Sequence, residues 1–225
     1  MSANKSTTSR FTLKTWVALG MLTAVAYVIM LLSKMLPSVN GFLDFDFKDV
    51  VICIGGFIYG PLAAAFISIV VALVEMFTVS HTGPIGLIMN ILATCSFCCT
   101  ACFVYKKIHT KLGAVIGLAC GVVCLVTVML MWNYLITPLY QEVPRNVVAA
   151  MLVPIFLPFN LAKGGMNMAA TLLLYKPVVT ALRKANLVTP SQTGRTKRFS
   201  GGFILFSVAL LITFVLLALV LLKII

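Results

Sequence analysis

Long hydrophobic runs, separated by short polar stretches, dominate the pattern along this chain. A helix needs about 20 consecutive apolar residues to cross the hydrocarbon core of a bilayer. Seven runs meet or approach this length, at residues 15–36, 48–60, 61–79, 84–105, 112–136, 148–175 and 202–222. The second run is short and meets the third at Gly60-Pro61. The pattern therefore predicts an all-α integral membrane protein with one helix in each run.

The composition agrees with this prediction. Of the 225 residues, 61% are hydrophobic and 10% are charged, whereas about a quarter of the residues in a soluble domain are charged. A soluble class is therefore excluded, and with it a soluble basic domain that could bind nucleic acid.

Basic residues indicate the orientation, because the cytoplasmic loops of membrane proteins retain Lys and Arg. If the N-terminus is cytoplasmic, twelve of the seventeen basic residues fall on the inner side: Lys5, Arg10, Lys14, Lys106, Lys107, Lys111, Lys176, Arg183, Lys184, Arg195, Lys197 and Arg198. The acidic residues lie in or beside outer loops: Asp44, Asp46, Asp49, Glu75 and Glu142. We therefore predict a multi-pass protein of the cell membrane with a cytoplasmic N-terminus. The net charge of +12 then reflects topology and contact with anionic lipids of the bilayer.

No sequence signature of catalysis occurs in the chain. It lacks the motifs G-x-x-x-x-G-K-[ST], G-x-S-x-G and H-E-x-x-H. Four cysteines share one helix face, namely Cys95, Cys98, Cys99 and Cys102. Thiolates on a single straight helix cannot surround zinc tetrahedrally, so we interpret these residues as small side chains that allow close helix packing. We predict no metal site and no catalytic residues.

Polar residues interrupt the apolar runs at a few positions. A helix that begins at Pro158, a residue suited to a first helical turn, would carry Asn160, Lys163 and Asn167 on one face. The third, fourth and fifth helices would add Glu75, Asn90 and Asn133 near their outer ends. These residues predict a polar pocket that opens outward. Aromatic side chains for its walls are available from Phe45, Phe47, Trp132, Tyr134 and Phe159.

Lys163 has two interpretations. A lysine at this depth costs roughly 2.5–3.5 kcal/mol on insertion scales, so it needs a partner. The partner is either the carboxylate of Glu75, which would make the lysine structural, or an oxygen atom of a bound polar solute. The sequence alone leaves both open.

Several segments resemble one family of membrane proteins. They are FLDFDFKDV followed by IGGFIYGPLAAA, then SHTGPIGLIMN, WNYLITPLY and LPFNLAKGG. Over residues 11 to about 187, the chain is similar to the substrate-binding S components of energy-coupling-factor (ECF) vitamin transporters, and within these to the riboflavin-type members.

The resemblance implies roles for individual residues. Asn133, Asn160 and Lys163 would hydrogen-bond the vitamin. The loop at Leu43 to Asp46 and the stretch from Gly83 to Asn90 would close over it. The full set of candidate substrate-binding residues is Asn133, Asn160, Lys163, Asn90, Gly83, Gly86, Leu43, Phe45, Asp46, Asn167 and Glu75. Gly20 and Ala24 in the first helix would dock a partner protein, because small residues allow close approach.

The function that the resemblance implies is reception of a transported vitamin. The chain would capture riboflavin or a related flavin outside the cell and deliver it inward with a separate transmembrane coupling protein and two ATP-binding subunits. Riboflavin would be the cargo, and no cofactor is expected. The alternatives are an S component for pantothenate or a thiamine precursor, or an intramembrane lipid-modifying enzyme. The enzyme would need acid, base or metal-binding groups near the membrane surface, which are scarce here.

One part of the chain departs from the six-helix core that the resemblance implies. We predict a six-helix S-component domain over residues 1–187 and a basic, polar cytoplasmic linker over 188–201. Residues 202–225 would then form an additional C-terminal transmembrane helix, which we interpret as an accessory anchor.

Overall fold

The computed structural model describes residues 12–39, 41, 43–80, 82–188 and 201–224. Their helices are α1 (Leu13–Ser33), α2 (Lys48–Tyr59), α3 (Pro61–Thr78), α4 (Gly83–Lys107), α5 (Lys111–Tyr140), α6 (Arg145–Met151), a π-helical turn (Leu152–Phe156), α7 (Leu157–Lys184) and α8 (Gly201–Leu221). Most of the predicted linker lies outside the described residues, as do the basic residues Lys5, Arg10, Arg195, Lys197 and Arg198. The predicted all-α class is confirmed.

Six helical stretches among the described residues are long and apolar enough to cross a membrane. They are Leu13–Ser33, Pro61–Thr78, Gly83–Lys107, Lys111–Leu139, Arg145–Lys184 and Gly201–Leu221. Helix α2 has 12 residues, which gives a length of about 18 Å at 1.5 Å per residue. It is therefore too short to span a bilayer by itself. The second of the seven predicted passages thus crosses the membrane only in part.

The α-helix that carries Lys163 begins at Leu157 and has Pro158 in its first turn, close to the predicted start at Pro158. It continues a helical path that starts earlier in the chain. The helical path begins at Arg145, widens into the π-helical turn and continues as α7. A proline inside a regular helix has no N–H to donate and clashes with the preceding turn. The π-helical turn accommodates Pro154 and precedes Pro158, and in it the N–H of Leu157 donates to the carbonyl of Leu152. The prolines thus mark a widened turn.

Helix α2 lies at the centre of the bundle, against α1, α3, α4 and α7. Its fit against α4 is close, because a Cβ added at Gly56 would lie 2.3 Å from the Sγ atom of Cys102. Cys98 also contacts α2, and its Sγ donates to the carbonyl of Asp49 at 3.4 Å. Cys98 and Cys102 are buried, so this part of the cysteine face has the packing role that the sequence predicts.

Two adjacent glycines let neighbouring helices approach α7 on either side. A Cβ at Gly164 would lie 3.1 Å from Leu125 of α5, and a Cβ at Gly165 would lie 2.3 Å from the ring of Phe214 in α8. Small residues are the usual means of close helix packing in membranes. The pair explains the two glycines that follow Lys163: they hold α7 between α5 and α8 at the depth of that lysine.

Candidate substrate-binding site

A polar cavity of about 610 Å³ lies where the α1–α2 loop and the α3–α4 connection meet α5 and α7. Pockets for small molecules usually measure about 300–1,000 Å³. The structure brings seven predicted site residues to its lining: Leu43, Asp46, Glu75, Asn90, Asn133, Asn160 and Lys163. Four separate helices and one loop thus converge on a single space.

The other four predicted residues lie behind this lining. Phe45 is buried, with its ring centroid 5.0 Å from that of Phe159, and Phe159 does line the cavity. Gly83 and Gly86 shape the start of α4. Gly83 has a φ of 56°, which favours glycine, and a Cβ at Gly86 would meet the side chain of Thr82.

Asn167, the fourth of these residues, fastens the α1–α2 loop to α7. Its Nδ2 donates to the carbonyl of Asp46 at 2.8 Å and to that of Lys163 at 3.0 Å. The loop is held at a second point, where the N–H of Phe47 donates to the hydroxyl of Ser33 at 3.2 Å. Asn167 therefore positions the wall of the cavity and does not face its interior.

The α1–α2 loop folds into a tight hairpin over the cavity. Val39 and Leu43 exchange two backbone hydrogen bonds, of 2.9 and 3.1 Å. Gly41 between them has a φ of 78°, a conformation that residues with a Cβ rarely adopt. Gly41 and Leu43 both line the cavity, so the hairpin forms part of its roof.

Glu75 is paired with two lysines, and neither is Lys163. Its Oε1 lies 3.3 Å from the Nζ of Lys34, and its Oε2 lies 3.1 Å from the Nζ of Lys48. The Nδ2 of Asn90 donates to the same Oε2 at 3.1 Å. The interpretation of Lys163 as the structural partner of Glu75 is therefore wrong, because the short first turn of α2 brings Lys48 to the carboxylate instead.

Charged groups in the loop stabilise one another in their ionised forms. Burial alone would lower the pKa of Lys34, but its hydrogen bond to Asp44 and the charges of Glu75 and Asp44 outweigh burial and raise the pKa. Burial alone would raise the pKa of Asp46, but the charges of Lys48 and Lys163 lower it. The roof of the cavity therefore carries both signs of charge at neutral pH.

Three polar side chains in the lining keep hydrogen-bonding capacity unused. Among the described residues, no carboxylate lies within ion-pair distance of the Nζ of Lys163. Asn133 is 2% exposed; its Oδ1 accepts from Thr137 at 3.0 Å, and its buried Nδ2 has no partner in the described part of the chain. Asn160 uses Nδ2 on the carbonyl of Phe156 at 2.8 Å, which leaves Oδ1 as an acceptor.

A buried donor without a partner is costly in a protein. Asn133 supplies such a donor. Lys163 is partly buried and supplies a second donor, which no carboxylate of the described residues pairs, and Asn160 supplies an acceptor, all at one cavity. This combination suits a polar ligand that presents both acceptors and a donor.

Sequence reasoning missed part of the lining. Leu125 and Met129 line the cavity with Asn133, and their spacing of four residues along one helix face could have identified them. Of the predicted aromatic walls, Trp132 packs in the apolar core and Tyr134 is exposed. The ion pairs of Lys34 and Lys48 had no sequence signal beyond the alternation of acids and lysines around the loop.

The chain matches the family model "ECF transporter, substrate-specific component" over residues 14–175. The chain belongs to this family. It is therefore a substrate-specific component of a membrane transporter and not an enzyme. Helix α8 lies beyond the matched residues.

Two curated relatives are similar to this substrate-specific component along nearly their whole length. "Riboflavin transporter RibU" from Staphylococcus aureus (strain TCH60) is 28% identical over 177 residues, which is 76% of this chain and 93% of the relative. "Riboflavin transporter FmnP" from Bacillus subtilis (strain 168) is 29% identical over 186 residues, which is 77% of this chain and 98% of the relative.

A solved structure has the same fold. It is described as "Structure and mechanism of the S component of a bacterial ECF transporter", and its TM-score is 0.65 at 28% identity. The alignment covers 76% of this chain and 98% of the other. The resemblance inferred from the short segments of sequence is therefore confirmed.

Proposed function

We propose that this chain is a riboflavin receptor, which binds riboflavin or a closely related flavin in the polar cavity for uptake into the cell. The observation that carries the proposal is a set of three polar groups at one cavity: Nδ2 of Asn133, which has no partner in the described part of the chain, Nζ of Lys163, which pairs with no carboxylate there, and Oδ1 of Asn160, which can accept a hydrogen bond. The names of the two relatives, both riboflavin transporters, support the choice of flavin.

The chemistry of a flavin matches these groups. The pyrimidine edge of its ring system presents carbonyl and ring-nitrogen acceptors on either side of one N–H donor. The Nζ of Lys163 and the Nδ2 of Asn133 would donate to the acceptors, and the Oδ1 of Asn160 would accept from the N–H. The ring faces would lie against apolar side chains of the lining, Phe159 and Met129 among them.

The hydroxyl-rich side chain of riboflavin would occupy the mouth of the cavity. Asp44, Ser80 and Thr82 line the cavity and are partly or fully exposed, and carboxylates and hydroxyls are suitable hydrogen-bond partners for a sugar alcohol. A Cβ at residue 86 would clash with the side chain of Thr82, so Gly86 supports the site by leaving room for Thr82.

The direct test is ligand binding by the purified protein. In mild detergent we expect riboflavin fluorescence to be quenched on titration, and we expect protein from flavin-replete cells to carry visible flavin absorbance. Pantothenate and a thiamine precursor serve as competitors. Absence of quenching by riboflavin, together with displacement or stabilisation by one of these competitors, would assign the cavity to another vitamin.

Delivery into the cell would need partner proteins, and we propose α1 as the docking helix. Gly20 and Ala24 are exposed on α1, and a Cβ added at Gly20 would meet no atom within 4 Å. A transmembrane coupling protein with two ATP-binding subunits would approach this face, with the N-terminus of the chain in the cytoplasm. The close approach of helices through small residues supports this choice.

The docking proposal is tested by separating uptake from binding. We expect Gly20→Leu to abolish riboflavin uptake in cells while riboflavin quenching by the purified protein stays unchanged. Val25→Leu, at an exposed position of the same helix away from the Gly20–Ala24 side, is the control and should transport normally. Loss of binding in Gly20→Leu, or normal uptake by this variant, would place docking elsewhere.

A further inference from the structure

Helix α8 packs against the part of α7 that carries Lys163. The ring of Phe214 lies against Gly165, where a Cβ would come within 2.3–2.4 Å of three of its atoms. Helix α8 lies outside the residues matched by the family model. A contact of this closeness, two residues from Lys163, gives α8 a direct influence on the cavity wall.

The C-terminal half of α8 joins an apolar cluster with the α1–α2 loop. The buried residues of this cluster are Val39, Phe45, Phe159, Ala162, Met166 and Ala218. Leu211, Phe214, Leu217 and Leu221 of α8 pack against them. The loop residues in the cluster, Val39 and Phe45, flank the hairpin that covers the cavity. The loop therefore has one side toward the cavity and the other toward α8.

The same cluster reaches the lining through two aromatic rings. Phe159 lines the cavity, and Phe45 packs on it with ring centroids 5.0 Å apart. Leu43 and Asp46, on either side of Phe45, also line the cavity. Movement of Phe45 away from α7 would therefore move two lining residues with it.

We infer that α8 is a positioning element for the substrate site: Phe214 and the side chains around Ala218 hold the α1–α2 loop against α7 and keep the cavity covered. The apolar contacts with α8 add to the two hydrogen-bonded anchors of the loop, at Ser33 and Asn167. Because a covered cavity exchanges its ligand slowly, α8 would lengthen the time for which substrate stays bound. The part of this inference that concerns riboflavin dissociation rests on the proposed function.

The experiment compares two phenylalanines of α8 in the full-length protein. Phe214→Ala removes the ring from Gly165, whereas Phe206→Ala removes a ring that is 47% exposed on the same helix. Hydrogen–deuterium exchange of residues 37–47 is measured without ligand, and riboflavin dissociation is followed by recovery of its fluorescence. We expect faster exchange in this segment and about tenfold faster dissociation for Phe214→Ala, because changes at a binding site act mostly on dissociation. Phe206→Ala should resemble the wild type in both.

The outcomes separate this inference from the proposed function. Equal exchange of residues 37–47 in the two variants would overturn it, whether or not riboflavin binds. Faster exchange with unchanged riboflavin dissociation would also overturn it, since the contact would then hold the loop without serving the site. Failure of the wild type to bind riboflavin would instead refute the proposed function, and the exchange comparison would still decide the role of α8. If Phe214→Ala does not fold, Phe214→Leu and Phe206→Leu provide the same comparison with a smaller loss of contact.

Discussion

Two lysines in buried parts of the molecule, Lys48 in the first turn of α2 and Lys163 in α7, differ in their surroundings. Lys48 has a side chain that is 2% exposed and lies 3.1 Å from the Oε2 of Glu75, and it also pairs with Asp46. Lys163 lines the polar cavity, and none of the carboxylates in the described residues is within ion-pair distance of it.

The difference separates a structural lysine from one available to a ligand. Removing one member of a buried ion pair leaves the other charge uncompensated. Lys163 acts on Asp46 only at longer range, and Asp46 is paired directly with Lys48. Removing Lys163 therefore strands no carboxylate among the described residues, and we expect its loss to lower mainly the affinity for ligand. The contrast therefore predicts that one lysine governs stability and the other affinity.

The largest effect is expected for Lys48→Met. This change removes the lysine paired with Asp46 and one of the two lysines paired with Glu75 in a buried site, and the loss of one partner from a buried pair costs about 3–5 kcal/mol. Thermal unfolding of the purified protein in detergent should show a strongly lowered Tm. A Tm equal to that of the wild type would mean that the remaining partners of Glu75, Lys34 and Asn90, suffice alone.

The second effect is expected for Lys163→Met, which keeps the length of the side chain and removes its charge. A ligand acceptor is then left unpaired, at a cost of about 1–3 kcal/mol, or roughly ten- to a hundredfold in riboflavin affinity. The Tm without ligand should fall far less than for Lys48→Met. If Lys163→Met binds riboflavin normally but melts early, the lysine is structural and the contrast between the two lysines fails.

The sequence reveals this contrast only in part. Amphipathic spacing and the cost of charge in a membrane identified Lys163, Asn160 and Asn133 as residues of a polar pocket, and all three line the cavity. Hydrophobic run length also gave most helix ends close to those observed, because a spanning helix must match the bilayer. The exceptions are α2, which is too short to span, and the end of α7, which continues to Lys184. These features depend on local spacing, which a sequence contains.

Features that depend on contacts between distant segments were not predictable in the same way. Glu75 could pair with any lysine that the fold brought near, and the choice of Lys48 depends on how α2 enters the bundle. The π-helical turn before Pro158 and the contact of Phe214 with Gly165 likewise arise from packing. A proline in a sequence indicates an irregular turn, and a pair of glycines indicates close helix packing. Neither identifies the type of turn or the helix that approaches.

A third, smaller effect is expected for Asn133→Leu. A neutral hydrogen bond is worth about 0.5–1.5 kcal/mol, so riboflavin affinity should fall by a few-fold up to about tenfold. The Tm without ligand should change little, because removal of the buried Nδ2 that has no partner in the described residues offsets loss of the hydrogen bond that Oδ1 accepts from Thr137. Combined with Lys163→Met, the loss of affinity should be less than additive, since both groups serve one ligand. Full additivity, measured by fluorescence titration of the single and double variants, would indicate separate sites.

The smallest effect is expected at the mouth of the cavity, where Lys34 and Asp44 form a pair at 3.0 Å with side chains 35% and 41% exposed. Exposed ion pairs contribute about 0–1 kcal/mol, so Asp44→Asn should lower the Tm only slightly, and less in high salt than in low salt. The pKa of Lys34 is raised by its partners despite partial burial; its contribution to stability is therefore present at neutral pH and is lost only as the pH rises through that raised pKa. Thermal unfolding of Asp44→Asn and Lys48→Met in detergent, at low and at high salt, compares the contributions of the exposed and the buried ion pairs to the Tm. If Asp44→Asn lowers the Tm as much as Lys48→Met, the exposed pair contributes as much to stability as the buried one. Exposure would then not distinguish the lysines of this site.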